Sequence, residues 1–165
     1  ASWLTSLSCL SMPCPVHSLV STCDFAACQP LPTALPTAGT TNISSPTCVI
    51  GAIPTEFGLL TAVTSFNISF NNLTGSIPTE LGRMNLTRAF DLQSNKLTSA
   101  VCTELGRLNL TSFSVRSNKL SSAIPTELGK ATRLKKSFNL AANNFCSDVP
   151  TEVEALSSSV TSGWA

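Results

Sequence analysis

The side chains best suited to covalent or metal chemistry are the seven cysteines, five of which (Cys9, Cys14, Cys23, Cys28 and Cys48) fall within the first 48 positions. Cys9 and Cys14, then Cys23 and Cys28, repeat a Cys-x4-Cys spacing. In an oxidising compartment such thiols close small disulfide loops; the alternative is a four-thiolate zinc site. Asn-x-Ser/Thr sequons at Asn42, Asn67, Asn72, Asn85 and Asn109 are acceptors for N-glycosylation and favour the oxidising compartment, hence disulfides. Connectivity stays open, because sequential and crossed pairings are equally permitted.

Other reactive side chains are arranged less promisingly. His17 is the single histidine and has no second imidazole with which to share a metal. Five of the nine acids form a repeated column, Glu56, Glu80, Glu104, Glu127 and Glu152, which reads as scaffold and not as a converging carboxylate pair. Gly-rich phosphate loops, His-Glu-x-x-His and Gly-x-Ser-x-Gly are all missing from the sequence. No enzyme activity, cofactor or metal is expected.

A formal charge of +1 with 12% charged residues provides no general attraction to nucleic acid or an anionic membrane. The ten Lys and Arg residues all lie between Arg83 and Lys136, whereas residues 1–82 carry only Asp24, Glu56 and Glu80. Ser, Thr, Pro and Asn interrupt every apolar run before it reaches membrane-spanning length.

The organisation that must position these residues is an internal repeat. Ile53-Pro54-Thr55-Glu56-Phe57-Gly58 returns as Ile77-Pro78-Thr79-Glu80-Leu81-Gly82, Val101-Cys102-Thr103-Glu104-Leu105-Gly106 and Ile124-Pro125-Thr126-Glu127-Leu128-Gly129, then in decayed form as Val149-Pro150-Thr151-Glu152-Val153. The second position steps through 54, 78, 102, 125 and 150, a period within the leucine-rich-repeat range. Between these markers recur Phe66, Ile68, Asn71, Leu73; Phe90, Leu92, Asn95, Leu97; Phe113, Val115, Asn118, Leu120; and Phe138, Leu140, Asn143, Phe145. The alternation predicts one short strand per turn, stacked into a parallel sheet. Asn71, Asn95, Asn118 and Asn143 are expected to be structural, their amides satisfying backbone groups of adjacent turns.

In the other half of each turn, Pro stops strand pairing. Thr-Glu is expected to begin a short helical turn ending at Gly, with Thr capping backbone amides. Glu80 with Arg83, Glu104 with Arg107 and Glu127 with Lys130 have a spacing that permits pairing on a solvated convex surface.

The segment Asn-Asn-Leu-Thr-Gly-Ser-Ile-Pro-Thr-Glu-Leu-Gly at 71–82 resembles the plant-type leucine-rich repeat of receptor ectodomains, polygalacturonase inhibitors and other secreted or surface proteins of plants and algae. The resemblance covers about residues 48–156. It implies an α/β solenoid: a right-handed coil with a parallel concave sheet, short 3-10 segments on the convex side, and an extra short strand near Gly-x-Ile-Pro. Three features depart from the family: residues 1–47 lack paired Cys around Trp, Cys102 replaces Pro, and Ser99, Ser122 and Ser147 stand where Gly75 stands.

Residues 1–47 are expected to form a cysteine-rich cap and Pro/Thr-rich connector, residues 48–156 the solenoid of about four repeats plus a partial first turn, and residues 157–165 a tail of a truncated cap. Cys102 and Cys146 lie nearly two repeats apart, roughly 10 Å at strand spacing, and are not expected to pair.

Solenoid geometry leaves one face for recognition. Its candidates are Asn67, Ser69, Phe70, Arg88, Asp91, Gln93, Ser114, Arg116, Lys136 and Asn139, accompanied by Thr64, Ser94, Ser117, Ala141 and Ala142. Phe70 and Arg116 are the expected anchors. The expected function is a recognition, docking or structural subunit for a protein or glycan partner, secreted, cell-surface or lumenal. Two further readings are ice or mineral binding through the column Thr55, Thr79, Thr103, Thr126 and Thr151, and inhibition of a carbohydrate-degrading enzyme.

Overall fold

The computed structural model describes residues 29–31, 41–44, 48–131, 133–134 and 137–156. Expectations that rest on Cys9, Cys14, Cys23, Cys28, His17, Lys136 and the tail at 157–165 lie outside the described residues.

Alternation of one apolar residue with polar neighbours produces short strands, each too small to persist alone. Strands β2 (Asn42–Ser44), β4 (Ser65–Asn67), β6 (Ala89–Asp91), β7 (Ser112–Ser114) and β9 (Ser137–Asn139) stack in that order into one parallel sheet. Pairing brings Ile43, Phe66, Phe90, Phe113 and Phe138 into one line. The last four rings stack at centroid distances of 5.8, 5.5 and 5.5 Å, and Phe57 meets Phe66 edge-on at 5.6 Å. This phenylalanine spine fills the interior behind the sheet, where aromatic stacking adds to the burial of large apolar surface.

After four of these strands, all but β6, the chain turns and forms the second, flanking strand that the resemblance implies. β1 (Gln29–Pro30), β3 (Val49–Gly51) and β5 (Asn72–Leu73) form one parallel sheet, and β8 (Ser121–Ser122) with β10 (Asn144–Phe145) another. β1 and β2 place main-chain pairing before residue 48, inside the segment expected to be an irregular connector. The sequence signal was one Asn-Ile-Ser triplet with no repeat marker; the exposed edges of β3 and β4 are what make pairing there favourable.

The opposite side of each turn is a 3-10 segment: Thr55–Leu59, Thr79–Arg83, Thr103–Arg107 and Thr126–Lys130, followed by the short helix α1 (Thr151–Glu154). Pro54, Pro78, Pro125 and Pro150 precede these segments in extended conformation, and Cys102 adopts the same conformation at φ −77 and ψ 141 without a ring to hold it. Two details differ from the sequence expectation. The Thr hydroxyls do not cap backbone amides; each donates to the carboxylate of the following Glu, at 3.2 to 3.5 Å. The repeated Gly does not terminate the turn through a left-handed φ. It is required because the next turn comes too close for a side chain: a Cβ on Gly58 would stand 2.7 Å from the Glu80 Cβ, and Gly82, Gly106 and Gly129 meet Glu104, Glu127 and Glu152 in the same way.

Each turn buries its own set of apolar side chains, for example Ile77, Leu81, Met84, Leu86, Phe90, Leu92 and Leu97, none more than 3% exposed. Stacked turns join these sets into one continuous core, which no single turn could close.

Candidate recognition surface

Strand pairing sets the pattern of the solvent face of the five-stranded sheet. Register aligns Ser44, Asn67, Asp91, Ser114 and Asn139 in one row across it, one side chain per turn. A parallel row holds Asn42, Ser65, Ala89 and Ser112, of which Ser65, Ala89 and Ser112 are absent from the sequence-derived set. The period-two rule, taken one step towards the N-terminus from each Phe, would have found them.

Within the first row, three turns close alike. Asn67 Oδ1 accepts the Ser69 N–H at 3.0 Å, Asp91 Oδ1 the Gln93 N–H at 3.0 Å, and Asn139 Oδ1 the Ala141 N–H at 3.1 Å. Asn67 Oδ1 also accepts the Ser69 hydroxyl at 2.7 Å, and Asp91 Oδ2 accepts the Gln93 side-chain amide at 3.4 Å. Partial burial raises the Asp91 pKa from its ordinary 3.8, opposed by the bond from the Gln93 backbone. Ser114 departs from the others. It is 7% exposed, not an open face residue, and its Oγ is buried with no hydrogen-bond partner. Its side chain is short, and it lies between the longer side chains of Asp91 and Asn139 on the neighbouring strands.

Beyond the strands the chain passes through a left-handed residue in every turn: Phe70, Ser94, Ser117 and Ala142, each at φ 55. Three of these are small. Phe70 is bulky, which makes this backbone region unusual for it, and it is 61% exposed. Leu59, at 64%, is the other large apolar residue in solvent among the described residues. Arg88 and Arg116 are exposed near the same row, and Gln93 and Ser69 are half-buried. The Thr64 hydroxyl is directed back to the Thr41 carbonyl at 3.1 Å.

Behind this face the asparagines at the strand exits form a different ladder. Asn71, Asn95, Asn118 and Asn143 each accept the backbone N–H of a residue one turn earlier, namely Val49, Leu73, Leu97 and Leu120, at 2.7 to 3.0 Å. The Asn95, Asn118 and Asn143 amides donate both to their own turn and to the one before, as in Asn118 Nδ2 to Val115 and Leu92 carbonyls at 3.0 and 2.9 Å. Their functional groups are consumed by the scaffold.

Of the sequons, Asn42, Asn85 and Asn109 are exposed, whereas Asn67 and Asn72 are half-buried. Cys48 is disulfide-bonded. Cys102 and Cys146 are free, consistent with their separation along the coil. Burial pushes the Cys102 thiol up to about 11, helped by the nearby Glu104 and Glu80 carboxylates. Among the described residues no group of three His, Cys, Asp or Glu side chains could hold a metal ion. No helix among them is long and apolar enough to cross a membrane.

Parallel strands, 3-10 turns, an asparagine ladder and a solvent-facing row define the class of protein: a leucine-rich-repeat solenoid. Residues 62–84 match the family model described as Leucine Rich Repeat. Solved structures then show which repeats these resemble. A plant peptide hormone receptor, RGFR1, in complex with RGF2 is 32% identical with TM-score 0.62, covering 66% of this chain and 17% of that one. The BIR2 ectodomain from Arabidopsis thaliana is 28% identical with TM-score 0.57, covering 62% and 54%. The Arabidopsis receptor kinase HAESA, in complex with the peptide hormone IDA and the co-receptor SERK1, is 28% identical with TM-score 0.61, covering 66% and 18%. No curated relative matches. The chain resembles plant-type leucine-rich-repeat receptor ectodomains, and it spans less than two thirds of the length of each of these structures.

Proposed function

We propose that this chain is a non-catalytic recognition module whose concave sheet face docks a peptide or protein partner, in a secreted or cell-surface setting. The observation that carries the reading is Phe70, an exposed aromatic in a left-handed conformation where the other turns hold Ser or Ala. A large apolar side chain in solvent, beside a sheet face that also carries Asn67, Asp91, Gln93 and the exposed Arg88 and Arg116, has the composition of an interface anchor with a polar surround. Support comes also from two of the similar structures, which are complexes: RGFR1 with RGF2, and HAESA with IDA and SERK1. The sequons and the disulfide at Cys48 favour an oxidising compartment. The Thr column does not serve as a surface-binding site in this reading, because its hydroxyls are engaged by the adjacent Glu carboxylates.

Cross-linking and mass spectrometry on the protein purified gently from its source, beside a Phe70→Ala/Arg116→Ala variant, tests this. The expected result is a stoichiometric protein partner cross-linked near the sheet face, with recovery at least about ten-fold lower for the variant, the loss typical of an interface anchor. Equal recovery by both proteins, cross-links confined to the 3-10 side, or a glycan as the only ligand would overturn the reading.

A further inference from the structure

The pattern Arg-x-Asn-Leu-Thr occurs twice, at 83–87 and 107–111, in successive turns of the coil. Each copy leaves a 3-10 segment, Thr79–Arg83 or Thr103–Arg107, through a residue in extended conformation: Met84 at φ −64 and ψ 150, Leu108 at φ −74 and ψ 134. In extended backbone, successive side chains point to opposite sides. Met84 and Leu86 are buried, as are Leu108 and Leu110, so the asparagine between each pair is directed outward, and both Asn85 and Asn109 are exposed. Neither side-chain amide makes a hydrogen bond among the described residues.

Other sequons meet the fold differently. Asn67 Oδ1 accepts the Ser69 N–H and hydroxyl at 3.0 and 2.7 Å, and Asn72 stands in β5 opposite Ile50; both are half-buried. Asn42 is exposed, but it opens the row of Ser65, Ala89 and Ser112 on the concave sheet. Asn85 and Asn109 lie instead where the chain passes from the convex 3-10 segments to that sheet, on the flank opposite β5 and β8. An N-linked glycan is bulky and stays in water, so a chain that carries one completes this fold where the acceptor amide already faces solvent.

We propose that Asn85 and Asn109 both carry N-linked glycans, one turn apart, and that these sugars shield this flank of the coil. The proposal rests on the oxidising-compartment reading and narrows the recognition reading: a partner reaches the concave sheet from the side of β5 and β8. Arg83 and Arg107, two residues before the acceptors and exposed, lie under the sugars, whereas Arg116 on the concave side does not.

The test is peptide mapping by mass spectrometry of the full chain purified from its source, after enzymatic deglycosylation in heavy-oxygen water. Each formerly glycosylated Asn is read as a labelled Asp. Conversion is expected at Asn85 and Asn109 and at neither Asn67 nor Asn72. In a second measurement the parent and an Asn85→Gln/Asn109→Gln variant from the same cells are treated, folded, with an arginine-directed reagent. Labelling of Arg83 and Arg107 should rise at least about two-fold in the variant, the response expected when a bulky surface group is removed, with Arg116 unchanged. An unmodified Asn85 or Asn109, or conversion at Asn67 or Asn72, overturns the assignment; equal labelling of Arg83 and Arg107 in both proteins overturns the shielding. A bridged Cys48 with bare Asn85 and Asn109 removes the glycan proposal alone, whereas a reduced Cys48 with every sequon bare removes the oxidising compartment as well.

Discussion

Gly129 rests directly on the main chain of Glu152, so that a Cβ built on the glycine would stand 2.6 Å from the Glu152 carbonyl oxygen. The same approach joins every successive pair of 3-10 segments, and it is how the convex side is packed as tightly as the sheet side. Gly106→Ala should therefore lower stability by about 1–3 kcal/mol, the usual cost of forcing a methyl into a packed interior. Urea midpoints for the variant and the parent measure it; an unchanged midpoint would show that adjacent turns can separate without cost.

A second column of strained positions predicts the opposite sign. Gly51 and Gly75 adopt φ 91 and 79, and Ser99 and Ser122 adopt φ 70 and 73 in later turns, where no glycine is present. A non-glycine residue pays about 1–2 kcal/mol in this region, offset in part by the greater freedom of glycine when unfolded. Ser99→Gly and Ser122→Gly should each raise the melting temperature, by an amount equivalent to roughly 0.5–1 kcal/mol. A lower melting temperature for both would contradict it.

Asn118 ties its own turn to the one before, accepting from Leu97 N–H and donating to carbonyls of Val115 and Leu92. Asn118→Ala leaves several buried backbone groups unpaired, and each costs about 1–3 kcal/mol. Chemical denaturation should show a loss of at least about 3 kcal/mol, exceeding that of Gly106→Ala. Hydrogen exchange at the Leu97 amide reports the local break directly.

Asp91 makes stability depend on acid. Burial raises its folded pKa above 3.8, so the folded state holds its proton more tightly than the unfolded chain does. The contribution of this group to stability therefore falls as pH rises from the ordinary value through the raised one, and above that it stays at its least favourable. Asp91→Asn keeps an oxygen for the Gln93 N–H and removes the charge. Its melting temperature should exceed the parent's at neutral pH, with the gap narrowing as pH is lowered toward 4. A constant gap would exclude this carboxylate as the source.

Cys102 and Cys146, the free thiols among the described residues, should separate by reactivity. Cys146 is exposed, whereas Cys102 is half-buried with its pKa pushed up to about 11 by burial and the Glu104 carboxylate. Only thiolate reacts with iodoacetamide, so at pH 8 Cys146 should alkylate well before Cys102 in the folded protein, and the two should converge on unfolding. Mass spectrometry of timed samples decides the order.

The repeat itself was legible because its signals are local. Phe66, Phe90, Phe113 and Phe138 recur at nearly one period, and a large apolar residue flanked by small or polar neighbours in every copy reads as the inward side of a strand. The asparagines were legible for a related reason: a single polar residue among buried ones must satisfy backbone groups. The column Thr55, Thr79, Thr103, Thr126 and Thr151 was read less well. Thr before a turn has two partners available, the amides ahead and the Glu beside it, and only the backbone path into the segment selects the carboxylate.

Sequence alone determined the parallel stack, its period and the inward residues, since all of these follow from which side chains recur and how far apart they lie. Only the tertiary structure decided why the repeated glycine is there and that Ser114 is a buried, unpartnered break in the Asn67, Asp91 and Asn139 row. Both depend on distances between residues more than twenty positions apart, which one turn's sequence does not contain and which exist once neighbouring turns are stacked.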